Sequence, residues 1–94
     1  MTQSETTNPA ATKLVYFAWV RERVGMPDEH VPLPSSIITV ADLLDWQKTR
    51  GEEYAHAFTH ANVIRVALDK KHAQHDAQIM GASEIAFFPP MTGG

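Results

Sequence analysis

The chain has 94 residues, of which 44% are hydrophobic and 20% charged, with a net charge of -3. That suits one soluble domain with a single core, and it leaves no basic footprint for nucleic acid. The absence of cysteine excludes disulfides, a thiol nucleophile and a thiolate-bound metal, so any sulfur chemistry needs sulfur from outside the side-chain set.

Met1 to Thr12 are small and polar, with Pro9 among them. No apolar run follows a basic start, so the segment does not read as a secretory signal. A disordered arm over 1–12 is expected, ahead of a folded domain at 13–88 and a flexible tail at 89–94. No stretch approaches the roughly 20 apolar residues of a membrane span. A cytoplasmic location is the simplest expectation.

Lys13 to Val20 is rich in β-formers and apolar on both alternating sets, Leu14/Tyr16/Ala18 and Val15/Phe17/Trp19. It reads as a central strand, or one with a face covered by a partner. Arg21 to Gly25 reads as a polar turn or a single helical turn stopped by Gly25. Glu29 to Leu33 suits a short strand that Pro32 confines to an edge.

Thr39 is a good helix N-cap, with Asp42 three residues on. Val40, Leu43, Leu44 and Gln47 then follow at helical spacing, and Gly51 is the expected stop, so a helix is predicted over Thr39 to Arg50. Trp46 lies beside that stripe. Tyr54 and Phe58 are i, i+4 partners and allow a second short helix. Ile64, Val66 and Leu68 alternate with Arg65 and Ala67 as a strand does. Asp69 to His72 reads as a polar turn, Gln78 to Met80 as a brief strand, Gly81 to Ser83 as a turn, and Glu84 to Phe88 as the final strand. This order suits an α+β, ubiquitin-like β-grasp: a mixed sheet with one main helix packed on it and the first and last strands side by side.

The end of the chain organises the rest. Pro89 and Pro90 fix φ and withhold two N–H donors, so the final strand cannot continue. They favour an extended exit that, at roughly 3.1 Å per residue, reaches on the order of 15–20 Å. Met91 and Thr92 lead to Gly93 and Gly94, whose missing Cβ atoms suit a narrow passage. The chain thus ends in a stiff base, a slender tip and a free carboxylate.

Other constellations are weaker. His56 and His60 are spaced i, i+4, and His72 and His75 lie two residues apart, but no third ligand follows from the spacing, so no metal site is expected. No Gly-rich phosphate loop is present, so the chain is not expected to bind ATP itself. Ser35, Ser36 and Ser83 lack a nucleophile-elbow context. Asp42 and Asp45 suit capping and solvation.

Two segments carry a family resemblance: Leu14-Val15-Tyr16-Phe17-Ala18-Trp19-Val20-Arg21-Glu22 and Glu84-Ile85-Ala86-Phe87-Phe88-Pro89-Pro90-Met91-Thr92-Gly93-Gly94. Together they resemble the molybdopterin synthase small subunits, within the MoaD/ThiS class of ubiquitin-like sulfur carriers. The middle of the chain matches in pattern only. The resemblance implies a β-grasp fold with no catalytic site of its own, acting as the small subunit of a sulfurtransferase.

It further implies that an ATP-using activating enzyme adenylates the Gly94 carboxylate and that sulfur then replaces one oxygen. The resulting thiocarboxylate donates sulfur to a pterin precursor, cyclic pyranopterin monophosphate, in molybdenum cofactor biosynthesis. Met91, Thr92 and Gly93 would insert into the large subunit, in a heterotetramer of two small and two large subunits. Phe17, Arg21 and Phe88 match positions at that interface, with core packing the competing role for the two phenylalanines and a solvated turn for Arg21. The chain departs from the family pattern at Ala82-Ser83, at Asp69 and in its polar arm. Carriers for thiamine or cysteine synthesis, and a ubiquitin-like modifier or binding module, are the alternatives.

Overall fold

The computed structural model describes residues 11–90. The expected tail residues Met91, Thr92, Gly93 and Gly94 lie outside these, as does most of the expected arm. Thr12, placed in that arm by its polarity, is instead the first residue of a strand.

Five strands form one sheet: β1 (Thr12–Tyr16), β2 (Asp28–Val31), β3 (Arg65–Leu68), β4 (Lys71–Ala73) and β5 (Glu84–Phe88). Their order is β2-β1-β5-β3-β4. The last strand is therefore central. It runs parallel to β1, with Leu14 opposite Ile85 and Tyr16 opposite Phe87. It runs antiparallel to β3, with Val66 opposite Phe87 and Arg65 opposite Phe88. The expected neighbourhood of first and last strands is present, and so is the edge strand, though it runs Asp28–Val31 and stops before Pro32 and Leu33, where Pro32 has no N–H for a ladder.

Period-2 alternation sends Leu14, Tyr16, Val66, Ile85 and Phe87 to one face, where all are buried. Three helices supply the other half of that core: α1 (Ala18–Val24), α2 (Val40–Gln47) and α3 (Glu52–Ala57). The helices contribute Val20, Val24, Val40, Leu43, Leu44 and Ala57, and Phe58 follows directly after α3. Phe87 stacks on Tyr16 at 5.5 Å and meets Phe58 edge-on at 5.4 Å.

The predicted strand over Lys13 to Val20 is half strand and half helix. Ala18 takes φ 53, a left-handed value that costs an Ala about 1–2 kcal/mol. Beyond that bend Val20 and Val24 lie four apart on one helix face and are buried. The apolar run satisfied both periodicities, and burial of these two valines decides between them. Gly25 ends α1 at φ 97, its N–H donating to the Arg21 carbonyl.

At α2 the expected cap is realised reciprocally. The Asp42 N–H donates to the Thr39 hydroxyl, and the Asp42 carboxylate accepts the Thr39 N–H, each at 3.1 Å. The helix stops at Gln47 rather than Arg50, because Lys48, Thr49 and Arg50 donate to carbonyls three residues back. Gly51, at φ 150, precedes α3 as its N-cap instead of ending α2.

Two further expectations are corrected. Asp69 to His72 is not all turn. Asp69 and Lys70 both have positive φ and make a two-residue hairpin loop, so Lys71 and His72 already belong to β4. Asp69 Oδ1 accepts the N–H groups of Ser83 and Glu84 at 2.9 and 3.0 Å, fixing this turn to the start of β5. Gln78 to Met80 makes only an isolated bridge, from Gln78 to Thr39. The neighbouring carbonyls of His75 and Ala77 accept the N–H groups of Ala41 and Val40, which satisfies two otherwise free donors at the start of α2.

Candidate functional site

The same alternation that buries Phe87 turns Phe88 to the opposite face of the sheet. That outer face also carries Val15, Ala67 and Ala86 from β1, β3 and β5, in register with one another. The helices pack against the inner face, so these residues meet no helix core. Phe17 continues β1 by one extended residue at φ -125 and ψ 153, and its N–H donates to the Phe87 carbonyl at 3.0 Å. This places Phe17 beside Phe88, on the side away from Tyr16. Phe17 is 48% exposed; a core role is thereby excluded for it. Phe88 is half-buried, with the His72 ring 6.2 Å from its own.

Arg21 sits on α1 rather than in a turn. Its N–H reaches the Phe17 carbonyl at 3.3 Å, one helical turn away, and its side chain is exposed. The structure therefore sets Phe17 beside Phe88 at the end of β5, with Arg21 one helical turn beyond Phe17. There the chain passes into Pro89 and Pro90. Pro90 borders a cleft of about 490 Å³ that Asn62, Arg65, His72, Gln74 and His75 also line.

Arg65, which sequence spacing does not single out, lies opposite Phe88 and lines the same cleft. Its alternation with Ile64 and Val66 predicts an outward side chain; what was lacking was the strand order that sets it opposite Phe88. Arg65 is exposed and, among the described residues, makes no ion pair.

The histidines form no metal centre among the described residues. His56 and His60 are exposed, and His75 Nε2 donates to the Ile64 carbonyl at 2.8 Å. No helix among the described residues is long and apolar enough to cross a membrane.

The strongest electrostatic cluster lies on the other side of the sheet. Glu29 of β2 accepts from Tyr16 at 2.7 Å, from Tyr54 at 2.9 Å and from both Arg50 Nη atoms at 2.8 and 3.1 Å. Gln47, fully buried in the α2 stripe, donates to the Tyr16 hydroxyl at 3.0 Å and accepts from Arg50 at 2.8 Å. Burial by itself would raise the Glu29 carboxyl, but the bonds from Arg50, Tyr16 and Tyr54 outweigh it and hold the group below its ordinary value. Burial pushes the Tyr16 hydroxyl well up, and its bond to Glu29 adds to that. The Glu29 carboxylate, the two tyrosine hydroxyls, the Gln47 amide and both Arg50 Nη atoms all have partners within the chain, which marks a structural cluster.

The model of the ThiS family matches residues 14–94. The chain belongs to the ThiS family. Among its relatives, the molybdopterin synthase sulfur carrier subunit of Escherichia coli (strain K12) is 30% identical over 82 residues, covering 87% of this chain and 98% of that one. The protein of the same name from Haemophilus influenzae is 27% identical over 81 residues, covering 86% and 96%. In fold, the chain is similar to the Haloferax volcanii HVO 2177 protein, with a TM-score of 0.68 at 18% identity over 99% of this chain and 94% of that one. The sheet order and the ThiS membership agree on a β-grasp, as the resemblance implied. The matched span takes in Phe17, Arg21, Arg65 and Phe88 and continues to Gly94.

Proposed function

We propose that this ThiS-family chain is the sulfur-carrier subunit of a molybdopterin synthase. The observation that carries the reading is the exit of β5. A central strand, paired on both sides, brings the chain to Phe88 and hands it to Pro89-Pro90 next to the exposed Phe17. Three residues, Met91, Thr92 and Gly93, then remain before Gly94. Names of relatives at up to 30% identity support the same reading.

The chemistry follows from the carboxylate. As it stands it is a poor electrophile. An activating enzyme joins one carboxylate oxygen of Gly94 to the α-phosphate of ATP and releases pyrophosphate. A sulfur donor then attacks the carbonyl carbon and AMP leaves with that oxygen, giving a thiocarboxylate. The tail residues Met91, Thr92 and Gly93 carry this group into the large subunit, where the sulfur bonds to an electrophilic carbon of the pterin precursor as a C–O bond there breaks. Water then cleaves the resulting thioester, leaving the sulfur on the pterin and restoring the carboxylate. A dithiolene takes two sulfurs, so two loaded carriers serve each product, in keeping with a heterotetramer of two small and two large subunits. Pterin binding and proton transfer belong to the large subunit. Phe17, Arg21 and Phe88 form the docking face.

The test compares the chain ending at Gly94 with one extended by a single residue. Each is incubated with activating enzyme, ATP and a sulfur donor. Intact-protein mass spectrometry should find exchange of one oxygen for sulfur at Gly94 in the first and none in the second, with both folded by circular dichroism. Molybdopterin formation by the extended chain without trimming defeats the proposal, and lysine adducts through Gly94 would replace the carrier reading with the modifier one.

A further inference from the structure

The outer face of the sheet is apolar at its centre but also carries a charge. Arg65 stands directly opposite Phe88 in the β3–β5 ladder, so their Cβ atoms are about 5 Å apart on one face. A stable interface buries about 800 Å² on each side, a disc whose radius is three times that spacing. A partner that covers Phe17 and Phe88 therefore covers Arg65 as well.

Among the described residues, nothing pairs with that guanidinium. Arg65 makes no ion pair among the described residues, whereas Arg50 is bound to Glu29 at 2.8 Å. Arg21, exposed one helical turn beyond Phe17, is likewise without an ion pair among the described residues. Covering an unmatched guanidinium costs several kcal/mol. A carboxylate offered to it removes that cost and supplies two parallel, directional hydrogen bonds.

We infer that the subunit that receives the tail presents a carboxylate to Arg65, making this arginine a specificity-determining residue of the docking face. The inference rests on the carrier reading above. A partner surface that is apolar only, suited to Phe17 and Phe88, pairs poorly with this chain. One that sets an acidic residue beside its apolar pocket pairs well, and Arg21 one helical turn beyond Phe17 favours an acidic rim there too. The apolar contacts supply affinity while the arginine sets register and partner choice.

The experiment measures binding of the full chain to the purified large subunit of molybdopterin synthase from the same organism, by calorimetry at low and high NaCl. Wild type should bind, and more weakly at high salt. Arg65→Glu should weaken binding by about tenfold or more, and Arg65→Leu by less, with a shallower salt dependence. Thermal melts check that the exposed substitutions leave the fold intact. Binding by Arg65→Leu that is equal to or tighter than wild type, with the same salt dependence, overturns the inference while leaving the carrier reading in place. Failure of wild type to bind the large subunit overturns both.

Discussion

Two arginines on opposite sides of one sheet show how this molecule divides its tasks. Arg50 is held on several sides: both Nη atoms reach Glu29, one also reaches Gln47, and the guanidinium lies 4.2 Å from the Tyr54 ring centroid and 5.0 Å from that of Trp46. Arg65 makes no ion pair among the described residues and stands beside a half-buried Phe88. The inner cluster closes on itself and can only stabilise. On the outer face Phe17 stands exposed and Arg65 has no ion pair among the described residues, a composition that suits an interface. Substitutions on the two sides should therefore part cleanly, the inner ones lowering stability and the outer ones association.

The largest effect on stability is expected at Glu29. Glu29→Gln removes the charge that answers Arg50 and should cost about 2–3 kcal/mol, lowering Tm by roughly 10–20 °C. Partner binding at a temperature where the variant is folded should be unchanged; a calorimetric melt and a titration read the two quantities separately. Phe17→Ala should do the reverse, weakening association by about 1–2 kcal/mol while the melt shifts little. Unchanged binding in the folded variant would remove Phe17 from the interface. Thr39→Ala removes one half of the capping box and should cost about 1 kcal/mol, visible in a denaturant midpoint.

The smallest effect is graded with pH. The Glu29 carboxyl is held below 4.5 in the folded chain, so its stabilisation is complete above that value and fades as pH falls through the depressed one. Tyr16 works in the opposite sense. Its raised value means that its contribution is complete below about 10 and fades as pH rises beyond. Tm should fall at both extremes, and Glu29→Gln should flatten the acid limb. An acid limb as steep as wild type would shift the effect to other carboxylates, Asp42 among them, whose carboxyl the Thr39 and Ile38 N–H groups hold low.

Much of this was legible in the sequence where local chemistry and tertiary need agree. The Thr39 cap, the Val40/Leu43/Leu44/Gln47 stripe, the edge strand before Pro32 and the final strand each answered to one periodicity. Val15 to Val20 answered to two, and only the burial of Val20 and Val24 chooses between them. β4 was hidden because its hairpin turns through Asp69-Lys70, a pair that lacks the glycine such turns usually announce; the anchoring of Asp69 to β5 is a contact across the sheet. Phe17, Arg21 and Phe88 came from the resemblance; the structure sets Phe17 beside Phe88 and Arg21 one helical turn beyond Phe17, and their role belongs to the proposal. Arg65 needed the strand order, and the Glu29 cluster needed the packing of β2 against α2 and α3, neither of which spacing along the chain can supply.

The central position of β5 has a mechanical consequence. A tug on Pro89 along the strand axis reaches a strand that is hydrogen-bonded along both flanks, to β1 on one side and β3 on the other. Those bonds lie across the direction of pull. They resist in shear, several at once, rather than opening one after another as they would if an edge strand were peeled away. Phe87, held between Tyr16 and Phe58, adds a plug that must clear the core before the strand can slide. The root of the tail is therefore anchored like a rope spliced into the middle of a cable, so a partner that grips the residues beyond Pro90 and lets them go can strain the linkage without unravelling the domain.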